Sequence, residues 1–383
     1  MLENQLTMGI VGTSNKENEF RVPIFPSHFE RIDEHLRKRI FIENGYGDRF
    51  NVSKKKLEVL FAGIMSREEL FKKCDIILLL KPTQKDFIYF QEGQILWGWT
   101  HCVQGESITQ VGIDKKMTFI SNEAMFTWKL NESKGIHIFH KNNEIAGYCS
   151  VLHALQLAGL TGYYGPPRKV AILSFGSTAK GALQALLGQG FHDIYIYSQR
   201  SPYTVSAPIS SSRIKQFMRY KSGSTEVVVK ESNGKTKSIA EELASYDIIV
   251  NCTLQDTDYP IMYFTDGELE LIKEGTLIID VSCDYKMGFS FAVPNSFEKP
   301  TVQMNRGITY YAVDHTPTYL WNSSTYEISQ CIIPFINVVM GGKEAWQKNM
   351  TIDKAIEIQD GNILNNRILR FQNRKSSYPY SKL

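Results

Sequence analysis

The sequence predicts an α/β protein of two domains, each built on a parallel sheet. Three observations carry that expectation. The length of 383 residues is more than one ordinary domain of about 150 residues needs. Short apolar runs alternate with helix-compatible stretches along most of the chain, the β–α–β rhythm of parallel sheets. A strand, glycine turn and helix follow one another in the middle, at Lys169–Gly181. Composition agrees: with 43% hydrophobic and 22% charged residues, disordered, collagen-like and coiled-coil classes drop out. A net charge of +3 is too small to make nucleic acid a partner. No apolar run reaches the ~20 residues of a bilayer span, so no membrane association is expected.

Met1–Gly12 lacks a basic segment followed by an apolar run, and six scattered cysteines form no C-x-x-C. Both point to reduced thiols in the cytoplasm. His137 and His140 form an H-x-x-H with no further ligand at a metal-site spacing, and no metal is expected.

In chain order, Met8–Val11 reads as a strand followed by a polar loop. Ser27–Arg39 reads as a helix capped by Ser27, with Phe29, Ile32 and Leu36 on its apolar face. Ile40–Ile42, Val59–Phe61, Ile76–Leu80, Ile95–Trp97 and Met117–Ile120 are the apolar runs of the first sheet. Ala146–Leu160 is a helix ended by Gly162–Pro167. A second alternation runs through Lys169–Ser174, Ala182–Leu187, Ile194–Tyr197, Ile239–Leu243, Ile248–Asn251 and Leu277–Val281. Ser201–Lys237, rich in Ser, Lys and Thr, reads as an insertion with a strand at Val227–Val229. Ser323–Met340 is a helix facing inward with Ile328, Ile332, Phe335, Ile336 and Val339, and polar Asn373–Leu383 reads as a frayed tail. The expected domains are 1–144, 145–316 and a return segment 317–383.

The glycine turn is a variant of G-x-G-x-x-G/A, with Ser174, Gly176 and Ala179 in the three positions and Ser177 and Thr178 between them. A tight turn opening a helix offers free N–H groups and a positive dipole end to a pyrophosphate. Alone, it is also the glycine turn of any α/β domain. The next strand ends in Ser198–Gln199–Arg200–Ser201, about 20 residues beyond, where an NAD site places an acidic residue. Hydroxyls and a guanidinium suit a 2′-phosphate instead, which favours NADP(H) over NAD(H).

Three polar groups lie where strands end: Arg21 after the first, Lys81 after Ile76–Leu80, and His101 after Ile95–Trp97. Side chains at the carboxyl ends of strands face the ligand crevice, so two cations and a histidine there make a carboxylate site with a general acid/base. Each also has a plain reading, as a surface ion pair, a strand-end charge or a loop histidine. Trp97, Gly98, Trp99 and Thr100 read as an apolar wall, the glycine leaving room for substrate. Asp284, after Leu277–Val281, and Asp314–His315, after Tyr310–Val313, stand at further strand ends.

Together these segments resemble the alanine dehydrogenase/pyridine nucleotide transhydrogenase superfamily. The resemblance runs from Glu19–Val22 through Lys81–Pro82, Gly98–His101, Ala146–Tyr148, the Gly176 loop, Tyr246–Ile249, Pro260–Ile261, Gly275–Val281 and Asp284 to Tyr310–Pro317. Within the superfamily it is nearest to the NADPH-dependent enzymes that form carboxyethyl-ornithine. The resemblance implies two Rossmann-like domains, the cofactor domain inserted into a split substrate domain. It implies that Arg21 and Lys81 hold a 2-oxo acid such as pyruvate, that His101 donates the proton, and that Asp284 orients reacting groups. His315, where those enzymes carry asparagine, is nearer to saccharopine dehydrogenases and is a further candidate substrate contact. The expected reaction joins a 2-oxo acid to the side-chain amine of ornithine or lysine with NADPH/NADP as cofactor. An alanine dehydrogenase type using ammonia and a saccharopine dehydrogenase type are the alternatives. The partners are small molecules, and a homo-oligomer is expected.

Overall fold

Strands Met8–Ile10 (β1), Ile40–Glu43 (β2), Gly63–Met65 (β3), Ile76–Leu78 (β4), Ile95–Gly98 (β5) and Thr118–Ser121 (β6) come first, in a computed structural model that describes residues 5–202, 212–230 and 234–383. Helices Lys54–Leu60 (α1), Arg67–Lys73 (α2) and Glu106–Asp114 (α3) connect them. Helix His140–Leu157 (α4) precedes Val170–Leu173 (β7), Ser177–Gly188 (α5), Ile194–Ser198 (β8), Ser212–Arg219 (β9), Val227–Lys230 (β10), Thr236–Ser238 (β11), Ile248–Asn251 (β12), Leu277–Asp280 (β13), Thr301–Gln303 (β14) and Thr309–Tyr311 (β15). The chain then returns through Trp321–Met340 (α6), Ile356–Gln359 (β16) and Asn362–Ile363 (β17). Two units result: Met1–His140 with Trp321–Leu383, and Lys141–Leu320 between them.

Each unit carries the same parallel order. The first sheet reads β3-β2-β1-β4-β5-β6, extended by antiparallel β16 and β17. The second reads β9-β8-β7-β12-β13-β15, extended at one edge by antiparallel β10 and β11 and at the other by antiparallel β14. In both, the order reverses beside the first strand, and the crevice at that reversal is where doubly wound sheets take their ligands. The central strands are apolar on both faces because helices cover both. In the first unit Ile328, Ile332, Ile336 and Val339 of α6 close one core, and Leu70 and Phe71 of α2 with Ile113 of α3 close the other.

Four local expectations change. Ser27–Arg39 is not one helix: a 3₁₀ turn at Pro26–Arg31 and an α-turn at Glu34–Arg37 flank an extended Ile32. Pro26 fixes the start, so Ser27 lies inside the turn and caps nothing. Val59 and Leu60 end helix α1 rather than forming a strand, because the Ser53 side chain caps that helix on Lys56 N–H; Val59 faces solvent, and the strand falls at β3. The Ser201–Lys237 segment adds a parallel strand, β9, to the sheet as well as the β10 strand; residues 203–211 and 231–233 lie outside the described residues. The C-terminal stretch is docked. Arg374 is buried, donating to Gln372 Oε1 at 2.7 Å, Gln110 Oε1 at 2.8 Å and Tyr380 O at 3.1 Å, and Lys382 pairs with Glu106. Among the described residues no helix is long and apolar enough to cross a membrane.

Candidate active site

In the first unit the loop after β1 is closed by the protein itself. Glu43, at the end of β2, accepts from Gly12 N–H and Thr13 N–H, both at 2.7 Å. The amides that a phosphate would need are already taken. What stands open to chemistry here lies at the ends of β4, β5 and β6.

Lys81 follows β4 and is buried; its Nζ lies 2.9 Å from Nε2 of His101, in the loop after β5. With Lys81 as an ammonium, which can only donate, Nε2 is the acceptor and the imidazole proton is assigned to Nδ1. Trp99 supports the cluster, with Lys81 Nζ 5.7 Å and the Arg21 guanidinium 5.9 Å from its ring centroid. Arg21 and Lys81 therefore converge on one indole, and His101 joins them through Lys81. Arg21 is a buried bidentate partner of Glu19, through Nε to Oε1 at 2.7 Å and through Nη2 to Oε2. Of the two cations, the Arg21 guanidinium is paired with Glu19, and Lys81 adds a second positive charge beside the same indole.

The wall is narrower than its sequence suggests. Trp97 is in the core and only Trp99 borders the cluster. Gly98 leaves room for backbone rather than for substrate, since a Cβ there would come 1.9 Å from Leu79 O. His101 adopts a left-handed backbone, φ 49°, and its N–H donates to Glu123 Oε1 at 2.5 Å. Glu123, just past β6, escaped the sequence reading although it stands at a strand end as Lys81 and His101 do. Its carboxyl is pushed up to about 8, first by burial and then by the charge of Glu357. The H-x-x-H pair serves backbone: His137 Nε2 meets Asn122 O at 3.1 Å and His140 Nδ1 meets His137 O at 3.2 Å.

In the second unit the turn after β7 is built differently. Ser174 takes the left-handed conformation, φ 84°, that glycine usually fills in this motif. Gly176 is the N-cap of α5 and offers no side chain to cap it; the first helical bond is Lys180 N–H to Gly176 O. The amides of Ser177, Thr178 and Ala179 have no partner among the described residues, and a Cβ at Gly176 would meet nothing within 4 Å. This is an open cradle of donors at a twelve-residue helix, and it fits a pyrophosphate. Close helix packing belongs to other glycines: a Cβ at Gly181 would lie 1.7 Å from Glu144 O and one at Gly147 1.9 Å from Thr178 O. Buried Ser198 accepts from Arg200 N–H at 3.1 Å, and Ser201 follows at the end of the same strand.

Asp284 and His315 stand in loops after the adjacent strands β13 and β15. His315 packs its ring 4.8 Å from that of Phe297, with Nδ1 3.3 Å from Asp314 Oδ2. Asp284 acts on its neighbour Asp280, whose carboxyl burial pushes up to about 7.

Comparison with known proteins agrees with this architecture. Residues 10–146 match the alanine dehydrogenase/PNT N-terminal domain and residues 194–366 the corresponding C-terminal domain. An N(5)-(carboxyethyl)ornithine synthase of Lactococcus lactis is 30% identical over 339 residues, covering 85% of this chain and 93% of that one. An alanine dehydrogenase 1 of Staphylococcus aureus is 21% identical, covering 91% and 92%. A solved L-alanine dehydrogenase superposes with a TM-score of 0.75 at 18% identity, covering 96% and 99%.

Proposed function

Since the chain belongs to the alanine dehydrogenase/PNT family, we propose that it is an NADPH-dependent, opine-forming oxidoreductase. It condenses a 2-oxo acid such as pyruvate with the side-chain amine of ornithine or lysine to give a secondary amine. The observation that carries the reading is the Lys81–His101 contact at 2.9 Å beside Trp99 and the Arg21–Glu19 pair.

The amine attacks the oxo carbon, giving a carbinolamine whose hydroxyl must leave as water. Lys81 donates toward that oxygen and stabilises the charge that develops on it. The Lys81–His101 pair supplies one proton to the departing hydroxyl and accepts one from the amine nitrogen, so the pair is restored. Trp99 keeps water from the imine, and Arg21, held planar by Glu19, aligns the carboxylate. The Ser177, Thr178 and Ala179 amides at the Gly176 turn beside Ser174 would hold a dinucleotide, with Ser198, Arg200 and Ser201 toward a 2′-phosphate. When bound, its nicotinamide would supply the hydride for reduction of the imine. Asp284 and His315 act as orienting groups for the substrates.

NADPH consumption across a matrix of oxo acids and amines, with product mass, tests this. Pyruvate with ornithine or lysine should give a mass equal to the two substrates less one oxygen, since water leaves and a hydride and a proton are added. Turnover with pyruvate and ammonia alone, indifferent to ornithine or lysine, would establish the alanine dehydrogenase type instead.

A further inference from the structure

Beneath His101 lies a second cluster that the proposed reaction does not use. β16 pairs antiparallel with β6, which brings Glu357 up to the strand end that carries Glu123. Glu357 is buried and accepts from Cys102 Sγ–H at 3.0 Å and from Asn365 Nδ2 at 2.8 Å. Cys102 is fully buried, and its sulfur lies 2.8 Å from Thr100 Oγ1, which also meets Ser121 Oγ at 2.6 Å and Glu123 Oε1 at 3.4 Å. Glu123 Oε2 is sealed from solvent with no hydrogen-bond partner. Neither glutamate forms a salt bridge among the described residues. Buried Glu357 and half-buried Glu123 thus stand in one hydrogen-bonded cluster, with Glu123 Oε2 itself enclosed.

We propose that Glu123 and Glu357 hold one proton between them, and that Glu123 is the positioning residue that fixes the left-handed backbone and the charge beneath His101. The positioning of His101 rests on its proposed role as proton carrier; the shared proton does not.

The division of roles follows from the hydrogen bonds. Both Glu357 oxygens accept from donors, as a carboxylate does, whereas Glu123 has an oxygen without a donor. Neighbouring like charges disfavour each other's ionised form, so the proton resides on Glu123, whose carboxyl is raised by burial and then by Glu357. The groups facing the pair are Lys81 from the end of β4, which opposes that rise, His101 and Cys102 from the loop after β5, and His137 from the strand Lys134–His137. Lys134, Asp353, Lys354 and Arg367 line the cavity that Glu357 borders. When Glu123 loses its proton, a second negative charge appears under the Lys81–His101 contact and holds protons there more tightly. The pair is a built-in determinant of the enzyme's alkaline behaviour.

Infrared titration of the full chain tests this without any substrate. A protonated-carboxyl band should persist at pH 7, shift in D₂O and fade as the pH rises past about 8. Glu123→Gln should delete it. Glu357→Gln, removing the neighbouring charge, should move its loss down by about one pH unit or more. Asp280 contributes a separate band that neither variant alters. Absence of the Glu123 band at neutral pH, or a band unmoved by Glu357→Gln, overturns the shared proton. For positioning, Glu123→Gln keeps an acceptor for His101 N–H and should retain far more turnover than Glu123→Ala, while Glu357→Gln shifts the pH profile of turnover without changing the Michaelis constant for the oxo acid. Equal losses in both Glu123 variants with an unshifted profile overturn the positioning role. If no oxo acid is reduced and the band behaves as stated, the proposed function fails and the proton pair stands.

Discussion

Arg200 donates from Nη2 to the carbonyl of Phe175 at 2.9 Å, tying the end of β8 to the turn that opens α5. The guanidinium is thereby stationed at the glycine turn, although sequence places it more than twenty residues downstream.

From this follows the first expectation, that Arg200→Ala weakens NADPH on the order of tenfold or more and leaves NADH nearly unchanged. A charge-assisted phosphate contact is worth roughly 1.5–3 kcal/mol. Fluorescence titration with both nucleotides decides it, and an unchanged NADPH affinity would move the selectivity to other residues.

Gly176 and Gly181 should respond in opposite ways. Gly176 has ordinary φ and open space around a Cβ, so Gly176→Val should fold normally and lose cofactor binding as the valine fills the cradle. Gly181→Ala drives a Cβ into Glu144 O and should lower Tm through the fold instead. Thermal melts with and without NADPH separate the two. Tight NADPH binding by Gly176→Val would remove the turn from the cofactor site.

The oxo-acid clamp is best tested at Lys81. Lys81→Met should raise the Michaelis constant for the oxo acid, leave that for NADPH nearly unchanged, and slow turnover by about 10²-fold. Arg21→Ala is a poor probe on its own, because it strands the buried Glu19 carboxylate at a cost of about 3–5 kcal/mol. Its first effect should be a lower Tm; an unchanged Tm would contradict the burial of that pair.

His101→Asn should reduce turnover at least ~100-fold and spare NADPH binding. Asparagine is the apt replacement because it tolerates the left-handed backbone that His101 adopts. Near-normal turnover with an unchanged pH profile would remove His101 from the mechanism and leave His315 as the next candidate.

Asp280 makes stability depend on pH. It accepts from Tyr310 Oη at 2.8 Å and Asn251 Nδ2 at 2.9 Å, yet burial still raises its carboxyl to about 7, against ~3.9 in an unfolded chain. The folded state therefore binds the extra proton, and this group's contribution declines as pH rises from about 4 to about 7, then levels off. Asp280→Asn should flatten the Tm–pH curve over that window; an unaltered slope would show that Asp280 is ionised throughout.

The sequence by itself determines the fold class and the family, because both are written in the order of short segments. Buried strands such as Ile76–Leu78 and Val170–Leu173 are apolar on every residue, and the helix of α6 announces its inward face at Ile328, Ile332 and Ile336. Strand ends likewise single out Lys81 and His101 as candidates, since polar residues at or just past such runs stand at the crevice end of the sheet. Tertiary structure alone decides what those residues touch. That Glu19 balances Arg21, that Glu43 fills the first unit's turn while the second unit's turn stays open, and that Arg374 docks the C-terminus are matters of side-chain direction and distant pairing. Glu357 comes within electrostatic reach of Glu123 because β16 returns antiparallel to β6. Periodicity records which face of an element is buried; it carries no record of which polar groups a distant strand brings together.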